Sequence, residues 1–231
     1  MNVMLLLAGG TGSRMNSEIP KQYIEVGKRR IIDYSLDAFA KCPKMDLVCI
    51  VAHEAWRQVI VDGMCEGLKN RFVGFANPGE TRQMSILNGL HFICEKVEEI
   101  TDEDRVVIHD AARPNITSEM LVEYLEACVG HDGVMPVLPM KDTVYACDEN
   151  GRVTSLLDRK TIWAGQAPEV FALKKYIAVN EMLLPEKIYC INGSTEPAIL
   201  AGLDIVTVAG EERNIKITTK GDLERFRSGK L

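Results

Sequence analysis

The sequence predicts an α/β fold, a mainly parallel sheet flanked by helices, and three observations carry this reading. Short apolar runs alternate with longer segments of helical period. Those runs are continuous rather than alternating, as in strands buried on both faces. Glycines and polar residues cluster just after several of them, where open α/β sheets bind ligands.

Each element follows from its residues. VMLLLA (3–8) ends in glycines and forms the first strand. In IIDYSLDAFAKC (31–42), Ile32, Leu36 and Phe39 share one helical face. DLVCIVA (46–52) is a second buried strand, and EAWRQVIVDGMCEGL (54–68) a helix that Gly63 weakens. RFVGFA (71–76) is a third strand, followed by the turn NPGE. TRQMSILNGLHFICEKV (81–97) keeps helical period through Met84, Leu87, Leu90 and Ile93. RVVIHD (105–110) is a fourth strand, SEMLVEYLEACV (118–129) a helix capped by Ser118 or Thr117, and GVMPVLP (133–139) a fifth strand. DTVYACDENGRVTSLLD (142–158) then reads as strand, turn, strand, with Glu149-Asn150-Gly151 at the tip. Helices at 172–184 and about 195–202, the strand DIVTVA (204–209) and a helix at 219–228 complete the chain. The alternation is Rossmann-like. It predicts one domain over 1–231, with an arm inserted at about 139–160 and shaped for contact with another subunit.

Composition narrows the function. Hydrophobic residues make up 46% and charged residues 26% of 231, which excludes a disordered or collagen-like chain. The net charge of −6 argues against a duplex nucleic-acid binder, which needs a basic face. No apolar run approaches the roughly 18 residues of a membrane-spanning helix. The N-terminal run lacks a basic flank and reads as a strand, not a signal peptide. The seven cysteines include no CxxC pair, so all seven read as reduced, buried thiols of a cytoplasmic protein.

Three segments suggest chemistry. Leu7-Ala8-Gly9-Gly10-Thr11-Gly12-Ser13-Arg14 follows the first strand, and its glycines let backbone N–H groups approach an anion. Arg14 and Lys21 add positive charge. The segment is no Walker A loop, because no GK[ST] follows, and no dinucleotide fingerprint, because Met15 stands at the third glycine position. Asp110 ends the fourth strand as a turn residue, a helix cap or a ligand for Mg²⁺. In NIKIT (214–218), Ile215 and Ile217 suit the buried face of a strand and turn Lys216 toward a cleft.

The string LAGGTGSR, five residues, then PKQY resembles the signature of the methylerythritol-phosphate and ribitol-phosphate cytidylyltransferase family. PGETRQMS (78–85), HDAARP (109–114), KDT (141–143), DR (158–159), GQAPEVF (165–171) and NIKIT follow in the family's order. The resemblance implies transfer of CMP from CTP to a polyol phosphate, with Mg²⁺, in a homodimer joined by the arm. It implies catalytic roles for Arg14, Lys21 and Lys216. It implies nucleotide contacts by Leu7, Ala8, Gly9, Gly10, Gly12, Gly79, Arg82, Ser85, Asp110 and Ala111, with Asp110 also the metal ligand. Acceptor contacts fall to Arg113, Thr143, Arg159 and Thr195, with Arg159 reaching the neighbouring subunit's site. His109 carries over with no catalytic role.

Two strings depart from the family pattern. The usual QTPQ reads Gln166-Ala167-Pro168-Glu169, and the acid cluster after Thr195 becomes Glu196-Pro197-Ala198. Both lie where the family grips its acceptor. With the LAGG opening, they rank ribitol 5-phosphate or a related polyol phosphate first and methylerythritol phosphate second. An NAD(P)-binding reductase with a degenerate glycine loop and a non-catalytic nucleotide-binding regulator are the readings from other classes.

Overall fold

The computed structural model describes residues 1–12 and 19–229. The sheet forms where the apolar runs predict it: β1 (Asn2–Leu7), β4 (Leu47–Val51), β5 (Phe72–Ala76), β6 (Arg105–Asp110) and β7 (Gly133–Pro139). A short pair, β2 (Glu25–Val26) and β3 (Arg29–Arg30), precedes β4. After β7 come β8 (Val144–Cys147) and β9 (Val153–Leu157), the antiparallel hairpin of the arm. Next are β10 (Trp163–Gly165), β11 (Glu169–Ala172) and, nearer the C-terminus, β12 (Ile205–Ala209).

The large sheet runs β10-β7-β11-β6-β1-β4-β5, with β12 also on β7. β6, β1, β4 and β5 are parallel neighbours, as are β7 and β12. β11 is wedged antiparallel between β6 and β7, and β10 also pairs antiparallel with β7. The residues of β10 and β11 carry no strand signal in the sequence reading. Gly165, Pro168 and the polar Gln166 and Glu169 interrupt the apolar run that the parallel strands show. The arrangement is nonetheless the expected mainly parallel α/β sheet.

Helices cover both faces: α1 (Ile31–Lys41), α2 (Glu54–Asp62), α3 (Glu66–Lys69), α4 (Arg82–Lys96), α5 (Ser118–Ala127), α6 (Leu173–Glu181), α7 (Glu196–Leu200) and α8 (Lys220–Arg227). The helix expected over 54–68 is broken into α2 and α3. Gly63 ends α2 against Asp33, whose Oδ1 lies 2.5 Å from where a Cβ would stand. Thr117, not Ser118, caps α5, its hydroxyl accepting from Met120 N (3.3 Å).

Strand alternation divides the core in two. Met4 and Leu6 of β1 face a cluster with Leu36, Phe39, Leu121 and Tyr124 of α1 and α5. Val3 and Leu5 face the other side with Ile86, Leu90 and Ile93 of α4 and Tyr176 of α6. All of these are essentially buried. The chain exposes 12,057 Å², above the roughly 10,400 Å² of a compact monomer of this mass. The projecting arm, mostly exposed, contributes to the excess.

Candidate active site

The carboxyl ends of β1 and β6 lie side by side, with Leu7 opposite Asp110. A cavity of ≈ 490 Å³ opens there. A larger one, ≈ 690 Å³, lies between α2 and α8 and is walled largely by apolar side chains such as Ile24, Trp56 and Val59. The smaller cavity is where glycine backbone, three cations and the carboxylates of Glu80 and Asp110 converge.

Its first wall is the glycine loop. Gly9 packs so closely on Pro78 that a Cβ would stand 2.6 Å from the proline Cβ, and Gly12 has φ +72°. Both positions demand glycine. Gly10 has open space before it, on the cavity side. Gln22 pins the loop from behind: its Nε2 donates to Ala8 O (2.7 Å) and Gly10 O (2.8 Å). The Tyr23 hydroxyl also donates to Ala8 O (2.9 Å). Sequence reasoning missed Gln22, whose only signal is its place beside Lys21. Lys21 lines the cavity. Arg14 lies outside the described residues.

The second wall is the turn before α4. Thr81 caps the helix by accepting from Met84 N (3.1 Å), which sets Arg82 at the first helical position. Ser85 accepts from Gly79 N (3.0 Å) and donates to Thr81 O (2.9 Å), so it fastens this turn as well as lining the cavity.

The third wall carries the charge. Arg82 Nε donates to Asp110 Oδ1 (3.2 Å), and Lys216 Nζ lies 2.8 Å from Asp110 Oδ2. Burial alone would raise the Asp110 carboxyl, but Arg82 and Lys216 hold it well below the ordinary carboxylate range. Burial pushes the Glu169 carboxyl up, against the pull of Arg82, whose Nη2 is 3.9 Å away.

Lys216 reaches this place without a strand. Residues 214–218 are irregular backbone, which corrects the strand expected there. Three contacts fix the segment: Ile217 is buried, its N donates to Ala112 O (2.8 Å), and the buried Asn214 donates to Ala167 O (2.7 Å). Lys216 is left facing Asp110 across the cavity.

Several expected contacts fall elsewhere. Ala8 and Ala111 are buried behind the cavity, and Ala112 lines it instead. Arg113 stays beside Asp110, its Nε 3.9 Å from Oδ2, while its Nη1 donates to Asn214 O (2.7 Å). Thr195 is buried with its hydroxyl on the Met135 sulfur (3.5 Å). Thr143 and Arg159 lie together at the arm's base, where Arg159 donates to Lys141 O (2.7 Å). None of Arg113, Thr143, Arg159 and Thr195 lines the cavity of its own chain. The spatial reason is that the arm projects from the sheet, while α7 packs its first residues inward. His109 is structural, as expected. Its Nε2 is 3.1 Å from Arg113 O, its ring meets Phe39 edge-on, and burial lowers its pKa to about 4.

Asp110 also bears on the expected Mg²⁺. Among the described residues no group of three His, Cys, Asp or Glu side chains could hold a metal. One carboxylate does suit Mg²⁺, which keeps waters and takes most other ligands from substrate phosphates. Each Asp110 oxygen retains a lone pair beyond its cation contact.

Comparisons with known proteins agree with this geometry. The profile of the IspD family, 2-C-methyl-D-erythritol 4-phosphate cytidylyltransferase, matches residues 2–227. The enzyme of that name from Lachnospira eligens is 32% identical over 97% of this chain and 96% of its own. Ribitol-5-phosphate cytidylyltransferase of Streptococcus pneumoniae is 30% identical over 96% of both chains. The bifunctional enzyme IspD/IspF of Paramagnetospirillum magneticum is 32% identical, and this chain spans 56% of its length. The structure of 4-diphosphocytidyl-2C-methyl-D-erythritol synthase from Anaerococcus prevotii superposes with a TM-score of 0.81, covering 100% of this chain and 95% of its own at 24% identity. That likeness is one of fold.

Proposed function

The chain belongs to the 2-C-methyl-D-erythritol 4-phosphate cytidylyltransferase family, and from that premise we propose that it transfers CMP from CTP to a polyol phosphate, releasing pyrophosphate. The observation that carries this reading is the convergence of Lys21, Arg82 and Lys216 on one cavity beside a glycine backbone. The acceptor phosphate attacks the α-phosphorus in line, and the P–O bond to the pyrophosphate leaving group breaks. Two anions must meet, and a single pair of unit charges 4 Å apart repels by about 4 kcal/mol at an effective dielectric near 20. Lys21, Lys216 and, by the resemblance, Arg14 offset that repulsion and stabilise charge developing on the phosphoryl oxygens. The glycine loop and the Gly79–Ser85 turn hold the nucleotide. Asp110 orients Lys216 and Arg82 and would hold Mg²⁺, which neutralises triphosphate charge when bound. No covalent nucleophile is needed.

Ribitol 5-phosphate is the acceptor ranked first, on the LAGG opening and the changes at Ala167 and Pro197. Methylerythritol phosphate is second, and the relatives carry both names. The assembly is a homodimer through the arm, on which Tyr145, Val153 and Leu156 are all more than half exposed. That arrangement would carry Thr143 and Arg159 to the neighbour's acceptor. Seven free cysteines suit the cytoplasm, although Cys65, Cys94, Cys147 and Cys190 are exposed, which corrects the expectation that they are buried. Among the described residues no helix is long and apolar enough to cross a membrane. Pyrophosphate release from CTP and Mg²⁺, with ribitol 5-phosphate, methylerythritol 4-phosphate and glycerol phosphates offered singly, is the test. Release with ribitol 5-phosphate alone is expected. Exclusive use of methylerythritol 4-phosphate reverses the ranking, and absorbance change with NADPH instead of release overturns the reaction.

A further inference from the structure

Glu169 begins β11, directly across from Ile108 of β6 and so next to the strand end that carries Asp110. Across the sheet, the order is glycine loop, Asp110, Glu169. Its Oε1 accepts a hydrogen bond from Ser194 Oγ (2.5 Å). Its Oε2 is buried with no hydrogen-bond partner. Arg82 Nη2, at 3.9 Å, is too distant to donate. A carboxylate oxygen left so is costly, and in native proteins such groups are rare without a function.

Arg113 also flanks Glu169, with its Nε buried and without a hydrogen-bond partner, while the other polar side chains around it are committed elsewhere. The Tyr176 hydroxyl donates to Ser194 O (2.6 Å), and the Gln83 amide to Asn180 Oδ1 (2.5 Å) and Tyr176. The Thr195 hydroxyl meets the Met135 sulfur. Ala167 offers a methyl group. The region therefore has two chemical halves. The half at Lys21, Arg82 and Lys216 donates to anions. The half at β11 presents the Glu169 carboxyl, flanked by Arg82 and Arg113, beside apolar groups, and its Oε2 lacks a donor.

We propose that Glu169 is a specificity-determining residue for the acceptor, its carboxylate accepting a hydrogen bond from a hydroxyl or ammonium group on the end remote from the acceptor's phosphate. The inference rests on the reaction proposed above and deepens its acceptor side. The phosphate lies toward Lys216, and the polyol tail runs toward β11. Movement of Arg82 onto a phosphate oxygen opens the approach to Oε2. An acceptor whose remote end is a carboxylate, or a carbonyl without donors, is rejected.

The test pairs Glu169→Gln with ribitol 5-phosphate, methylerythritol 4-phosphate and the mono-deoxy analogues of each. Glutamine keeps the volume and an acceptor oxygen for Ser194 but not the second one. For the acceptor that wild type uses, kcat/KM is expected to fall about 10- to 100-fold, with KM for CTP within about twofold. One deoxy analogue is expected to lose as much on wild type and then be insensitive to Glu169→Gln. Equal losses on every analogue, a matching shift in KM for CTP, or no loss at all would reduce Glu169 to a structural tie for Ser194. Should the variant not fold, the deoxy series on wild type still decides, because no position costing about tenfold overturns the inference. Wild type silent with every acceptor fails the parent reaction, and this inference with it. Wild type active without the coupling fails the inference alone.

Discussion

At the cleft, Asp110, Arg82 and Lys216 balance one another's charge within a single chain, whereas Tyr145, Val153 and Leu156 on the arm stay more than half exposed. The cleft draws on β1, β6, the start of α4 and the 214–218 segment, each fastened by buried backbone contacts. The arm is a two-stranded hairpin, and a lone hairpin of that kind has marginal stability in water. Among the described residues, those proposed for the nucleotide therefore converge within one chain. Much of the predicted acceptor end, Thr143 and Arg159, sits on an element that a second copy would have to cover.

The largest expected effect lies at the cleft. Lys21→Ala and Lys216→Ala should each lower turnover about 10²-fold or more, roughly 3 kcal/mol of transition-state stabilisation. Arg14→Ala should do the same. Pyrophosphate release at saturating CTP measures this, and a near-normal rate would remove that lysine or arginine from the catalytic set.

A smaller effect probes the wall behind the cleft. Burial holds the His109 pKa at about 4 in the folded chain, against 6.5 for an ordinary histidine. The unfolded chain binds more protons between those values, so stability is full above pH 6.5 and falls as the pH drops toward 4. About 2 kcal/mol should be lost between pH 7 and pH 5. His109→Gln, which can still donate to Arg113 O, should flatten that slope in urea unfolding. An unchanged slope would place the proton uptake elsewhere.

The arm should show the smallest loss and the sharpest contrast. Arg159→Ala should reduce kcat/KM for the acceptor about tenfold and leave CTP binding alone. Mixed with Lys216→Ala, it should recover activity, because one site of each mixed dimer then draws on an intact Lys216 and an intact partner arm. Random exchange sets the ceiling at about a quarter of wild type. No recovery would mean that Arg159 serves its own chain or none.

The legible parts of the fold share one property, local periodicity. β1, β6 and β7 show as unbroken apolar runs, and α4 by its spacing. β11 was illegible because its leading residue is a glutamate and the segment before it contains Gly165 and Pro168. It becomes a strand because β6 and β7 leave it a slot and supply its partners. The 214–218 segment failed in the opposite sense. Its alternation reads as a strand, but no neighbour pairs with it, and hydrogen bonds to Ala112 and Ala167 fix it as irregular chain. Gln22 and Asn214, which pin the two cation-bearing segments, fall within PKQY and NIKIT, but nothing in those strings shows the backbone oxygens they reach.

By itself the sequence determined the α/β class and the glycine loop, because these follow from residue type and short-range spacing, while Lys21, Asp110 and Lys216 were singled out by the family resemblance. The tertiary structure decided which of the expected contacts share a cavity. Arg113 and Thr195 turn inward, Thr143 and Arg159 ride the arm, and Glu169 arrives beside Arg82. Those outcomes depend on contacts between residues far apart in the chain, such as Glu169 with Ser194 and Asp110 with Lys216, and long-range pairing of that kind leaves no period in the sequence.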